Sequence, residues 1–109
     1  GDKFMTHPFS VRFVYNEEKT ENNAKLSVLI IAPKRYQKLA VNRNRAKRLL
    51  REAYRLNKHS LGEKIINSSS QLFISIALVS KTMPDYLLTE QKVKEILSTI
   101  EKKIFSENN

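Results

Sequence analysis

The spacing of apolar and polar positions divides the chain into a few elements. Phe9, Val11, Phe13 and Tyr15 recur at every second position, which predicts a strand over 9–15 with one apolar face. Leu26 to Ala32 holds a single polar residue, Ser27, and predicts a strand covered on most of both faces. The connection between them is short and polar, with Asn22-Asn23 as a turn signal, so the two strands are expected to pair as an antiparallel hairpin. Pro33 ends the second strand because it cannot donate to a ladder. Helical periodicity then runs from about Val41 or Asn42 to Asn57. Leu61-Gly62 and Asn67-Ser68-Ser69-Ser70 bracket a turn region, and Leu72 to Val79 reads as a buried central strand. Beyond Pro84, Thr89 is the expected N-cap of a last helix. Val93, Ile96, Leu97, Ile100 and Ile104 share one face of it. The tail from Ser106 to Asn109 is expected to fray. The order strand, strand, helix, strand, helix predicts an α+β two-layer sandwich, not a doubly wound parallel sheet.

Length and composition narrow the class. A chain of 109 residues fits a single domain over 1–109, and 40% hydrophobic residues suffice for one modest core. The sequence has no cysteine, which removes disulfides and thiolate metal sites. No apolar run approaches the roughly 20 residues that span a bilayer, and no signal-peptide pattern opens the chain. A cytoplasmic protein without a membrane partner is expected.

Charge changes the picture most. From Lys34 to Lys58 there are ten basic residues and one acid, Glu52, which accounts for the whole formal net charge of +9. Such local asymmetry points to a polyanion. On a helix advancing about 100° per residue from Arg43, the residues Ala46, Leu49, Leu50, Ala53, Leu56 and Asn57 fall between about 220° and 340° and should face the sheet. Arg43, Asn44, Lys47, Arg48, Arg51, Tyr54 and Arg55 fall between 0° and about 140°, with no acid among them. Arg43, Lys47, Arg51 and Arg55 stand at successive i,i+4 steps, where like charges each cost roughly a few tenths of a kcal/mol. Phosphates along a nucleic-acid backbone are the natural counter-charge, and arginine favours bidentate phosphate contacts. Asn44 could read a base edge or sugar hydroxyl. Tyr54 could stack on a base, although a tyrosine beside a buried arc is more often a rim residue of the core.

The segment Ala40-Val41-Asn42-Arg43-Asn44-Arg45-Ala46-Lys47-Arg48-Leu49-Leu50-Arg51-Glu52-Ala53-Tyr54-Arg55 resembles the signature of the bacterial ribonuclease P protein component. That signature is an Arg-Asn-Arg triplet, then Lys-Arg one residue later, then Leu-Arg-Glu. Pro33-Lys34-Arg35 resembles the family's strand ending in a basic pair, and the likeness extends more weakly over nearly the whole chain. The resemblance implies a mostly antiparallel four-stranded sheet with helices packed on it and a left-handed βαβ crossover, against the usual right-handed rule. It also implies an RNA-binding subunit that assists a catalytic RNA in removing the 5′ leader from precursor tRNA. Catalysis, with Mg²⁺, would belong to the RNA, and no cofactor is expected on the protein alone. Arg43, Asn44 and Arg45 would form the triplet site, extended by Lys47, Arg48, Arg51 and Arg55, with Lys34 and Arg35 as the basic pair. The leader would lie in a cleft between the signature helix and the sheet, with Phe9, Arg12, Phe13, Tyr15 and Tyr54 as candidates. Phe9 and Phe13 share a face, so both line the cleft or both belong to the core, the core being favoured by the pattern. Two departures stand out. Gln37-Lys38-Leu39 occupies a connection where the family usually has a glycine, and the family's N-terminal helix is apparently lacking.

Other chemistries find little support. His7 and His59 lack the spacing of paired metal ligands and read as surface residues. Glu17, Glu18 and Glu21 could hold hydrated Mg²⁺, but a solvated loop is the simpler reading. Both glycines are isolated, so there is no glycine-rich phosphate loop, and no acid pair or general base accompanies the basic stripe. The remaining alternative is a ribosomal or other structured-RNA-binding module with a similar sandwich.

Overall fold

The computed structural model describes residues 2–17 and 25–105. Seven elements follow in order: β1 (Asp2–Thr6), β2 (Phe9–Asn16), β3 (Lys25–Ile31), α1 (Ala40–Asn57), α2 (His59–Asn67), β4 (Gln71–Leu78) and α3 (Tyr86–Phe105). The four strands form one mixed sheet in the order β1-β2-β4-β3. β1 and β2 pair antiparallel, as do β2 and β4, while β3 runs parallel to β4. The α+β class is as the sequence implies, and the sheet is mostly antiparallel.

The expected hairpin between the first two apolar strands does not form. β4 lies between them, with Val11 opposite Ile76 on one side and Ile30 beside Ile76 on the other. β4 takes a place between β2 and β3, and β3 becomes an edge from which the crossover through α1 and α2 leads to β4. Two elements were not foreseen. β1 is too short for its alternation to stand out. α2 begins straight after a break at Lys58 and buries Leu61 and Ile65, an i,i+4 pair that the glycine at 62 disguises as a turn. Its end is set by Ser69, which has left-handed backbone (φ 54°), with the Ser70 N–H donating to the Ile65 carbonyl at 3.2 Å.

α3 starts earlier than expected. Asp85, not Thr89, caps it, its carboxylate accepting the Leu88 N–H at 2.8 Å. Thr89 is buried inside the first turn and donates its hydroxyl to the Asp85 carbonyl at 2.8 Å. The foreseen apolar face is real: Val93, Ile96, Leu97 and Ile100 are buried and Ile104 packs against the core.

All the helices lie against one face of the sheet. Phe9, Val11 and Phe13 of β2 and Leu72, Ile74, Ile76 and Leu78 of β4 are buried with Leu50, Leu61, Ile65, Val93 and Ile96 in one cluster. Glu18 and Glu21 of the acidic loop, the Asn22-Asn23 turn and the tail over 106–109 lie outside the described residues.

Candidate nucleic-acid interface

α1 is an 18-residue helix whose buried residues are Ala46, Leu50, Ala53 and Tyr54. Its apolar arc is therefore turned toward Tyr54 relative to the expected one. Leu49 and Asn57 are half-buried and Leu56 is exposed. The reason is that α1 packs closely on α3 as well as on the sheet. Asn57 donates to the Glu90 carboxylate at 3.5 Å, and farther along Lys64 of α2 pairs with Glu101 at 2.7 Å. Tyr86, the first residue of α3, lies within the charge field of Glu52 and Arg55. The C-terminal part of α1 and then α2 thus run alongside α3 in the same direction. The first turns of α1 extend past the start of α3, beside the connections that precede α1 and follow β4.

That projecting part carries most of the cations. Asn44, Arg45, Arg48 and Arg51 are exposed, and Arg43 and Lys47 are half-buried at its flank. Among the described residues, the side chains of Arg45, Lys47, Arg48 and Arg51 have no ion-pair partner. The first turn of α1 has no acid and no side-chain cap bond to oppose the positive end of the helix dipole. Lys34 and Arg35 are exposed on the turn just before α1, with the Arg35 guanidinium 5.1 Å from the Tyr36 ring centre.

Two residues of the expected stripe differ. Arg55 is neutralised within the protein: its guanidinium binds the Glu52 carboxylate at 2.9 Å. The two are separated by one turn, and both are solvent-exposed. Arg43 spends one nitrogen on two backbone carbonyls, those of Gln37 at 3.0 Å and Lys38 at 2.8 Å.

The leader-cleft candidates separate sharply. Phe9 is fully buried, and Phe13 packs edge-on against Phe4 with ring centres 6.3 Å apart, so neither can meet a nucleotide without opening the fold. Tyr15 points to the helical side and stacks edge-on with Phe105 of α3 at 5.9 Å. Tyr54 is buried in α1, and burial pushes its phenol up to about 12. The space between α1 and the sheet is filled by core side chains, so the cleft expected there does not exist.

Only Arg12 among those candidates faces the other side of the sheet, which none of the described helices covers. The strand register arranges that side in rows: Asn16, Gln71 and Lys25; Val14, Phe73 and Ser27; Lys3, Arg12, Ser75 and Leu29; Met5, Ser10, Ala77 and Ile31. Val14, Phe73 and Leu29 are 52%, 47% and 49% exposed. A shallow hollow of about 450 Å³ opens there, lined by Val14, Asn16, Lys25, Ser27, Gln71, Leu72 and Phe73. The sequence reading missed Phe73 and Leu29 because it treated β3 and β4 as covered on both sides, and Val14 because it falls on the otherwise polar side of β2. A signal was present: two helical segments can cover one face of such a sheet, not two.

Among the described residues no three His, Cys, Asp or Glu side chains converge as a metal site. No helix is long and apolar enough to cross a membrane. A family model described as Ribonuclease P matches residues 1–101. The chain belongs to this family. It is similar to two relatives named Ribonuclease P protein component, from two strains of Porphyromonas gingivalis. Each is 36% identical over 100 residues, which is 92% of this chain and 72% of the relative. No solved structure matches it significantly. Family membership makes the chain an RNA-binding protein subunit of an endoribonuclease that acts in tRNA processing, and removes the alternative of an unrelated RNA-binding module.

Proposed function

We propose that the subunit divides its RNA binding between two surfaces. The projecting part of α1, with Arg45, Lys47, Arg48 and Arg51, together with Asn44 and the Lys34-Arg35 pair, holds the catalytic RNA of ribonuclease P in the cytoplasm. The uncovered sheet face holds the single-stranded 5′ leader of precursor tRNA. The observation that carries this reading is the set of exposed, unpaired cations on one part of one helix. Their mutual repulsion is relieved by phosphates, which shed counterions on binding.

The open face suits an unpaired strand. Phe73, with Val14 beside it, offers an aromatic platform on which any base can stack. Arg12, Lys3 and Lys25 stand around it on the same face, where they can meet the phosphates of an extended strand. Hydrolysis itself falls to the RNA with its Mg²⁺, and this chain supplies binding and orientation.

The test is a competition between precursor tRNA with a single-stranded 5′ extension and the mature product. The complex of this chain with its catalytic RNA is expected to prefer the precursor, with an affinity that weakens steeply as salt rises. Equal affinity for both would remove the leader from the account.

A further inference from the structure

Arg43 opens the triplet but does not stand free like Arg45. One of its nitrogens, Nη1, donates to the carbonyls of Gln37 (3.0 Å) and Lys38 (2.8 Å). Gln37 is only 4% exposed, and its Nε2 donates to the Ser80 carbonyl at 2.8 Å. The backbone before it is closed by the N–H groups of Tyr36 and Gln37, both on the Pro33 carbonyl at 3.2 Å. A single chain of hydrogen bonds thus runs from α1 through residues 33–38 to the segment after β4. The basic pair Lys34 and Arg35 rides on the turn this chain holds.

The choice of arginine follows from the position. A cation in the first turns of a helix faces the positive end of the dipole, and α1 has no acid or side-chain cap there to offset it. Two carbonyl oxygens supply the missing negative charge. The two N–H groups of Nη1 are fixed in the guanidinium plane and serve the two carbonyls at once, whereas the donors of a lysine ammonium rotate freely on a flexible stem.

We infer that Arg43 is a positioning residue rather than a phosphate ligand. It locks the connection bearing Lys34 and Arg35 against α1, so that the basic pair and the α1 cations form one continuous surface. The inference rests on the reading that these cations bind RNA. A preset pair of cations loses less freedom on binding a phosphate than a pair on a loose turn.

The experiment measures affinity for the catalytic RNA at fixed salt. The variants are Arg43→Ala, Arg43→Lys, Arg35→Ala, Arg55→Lys and the double variant Arg43→Ala with Arg35→Ala. Hydrogen exchange of the Tyr36 to Leu39 amides is followed in parallel. Arg43→Ala and Arg35→Ala should each weaken binding several-fold, and the double variant no more than the stronger single one. Arg43→Lys should weaken binding although charge is kept, with faster exchange over 36–39, while Arg55→Lys, at an arginine already paired with Glu52, stays near the parent. Multiplicative losses, a parent-like Arg43→Lys and unchanged exchange would overturn the inference and make Arg43 a direct ligand. If the parent chain shows no salt-dependent binding to the RNA, the functional reading fails instead, and this is seen before any variant is compared. Arg43→Lys keeps charge and bulk, so the comparison stands even if the alanine variant does not fold.

Discussion

Neighbouring residues of β4 have opposite surroundings. Leu72, Ile74, Ile76 and Leu78 are sealed beneath the helices, whereas Phe73, one position away, is about half exposed beside Val14 on β2. An antiparallel sheet with one wet side normally shows polar residues there. This one shows Phe73, Val14, Leu29 and Ile31, with Arg12, Lys3 and Lys25 around them. The difference teaches that periodicity reports which side chains could be buried, not how many layers exist to bury them. Apolar residues left over on an uncovered face, rimmed by cations, mark a place where something else docks.

The sharpest way to break the comparison is to truncate one residue on each side of β4. Ile74→Ala should lower the unfolding free energy by about 2–5 kcal/mol, the range for a buried large-to-small change. Phe73→Ala should cost clearly less, on the order of 1 kcal/mol, because about half of the ring is already exposed. Urea midpoints at constant m-value would register both. A comparable loss for the two would mean that the open face is not open. The same Phe73→Ala variant should then lose about 1–3 kcal/mol of affinity for a leader-bearing precursor, the worth of one stacked base, and none for mature tRNA. Competition binding separates these.

The cations extend the contrast from the sheet to α1. Replacing Arg48 and Arg51 by alanine should flatten the salt dependence of RNA binding by about 0.7–0.9 logarithmic units for each phosphate the variant no longer neutralises. Arg55→Ala should leave that slope unchanged, because Glu52 already neutralises its guanidinium. It should also leave stability close to that of the parent, since the pair is solvent-exposed.

The effect confined to the narrowest conditions concerns the covered side. Burial raises the Tyr54 phenol to about 12 in the folded chain, against an ordinary value of 10.0. The unfolded chain therefore gives up this proton first. The stabilisation is whole below pH 10 and falls away as pH rises from 10 toward 12. Tyr54→Phe should remove that part of the alkaline decline, read as the difference in urea midpoint between the two chains across this window.

Much of this was legible in the residues, and the gaps have physical causes. Alternation on β2 identified its buried side because the opposite parity is mixed in character. β4 has Phe73 and Ala77 at that parity and β3 has Leu29 and Ile31, so no alternation could be seen and the uncovered face was hidden. Strand order was hidden too, since pairing depends on where the crossover returns the chain and not on sequence proximity. On α1 the cationic stripe and the leucine side were both visible, but the packing on α3 rotated the buried arc onto Tyr54. The removal of Arg55 and Arg43 from the free set depends on partners three and six residues away, close enough to suspect and too variable in geometry to assign.

Reconstituted leader cleavage tests the account most directly. The catalytic RNA, precursor tRNA and this chain are mixed at low Mg²⁺, beside a variant with Arg45, Arg48 and Arg51 all changed to alanine and an unaltered thermal melt. The parent chain should accelerate leader removal and the variant should not. Equal acceleration by the variant would contradict the claim that the exposed arginines of α1 are how this protein grips RNA.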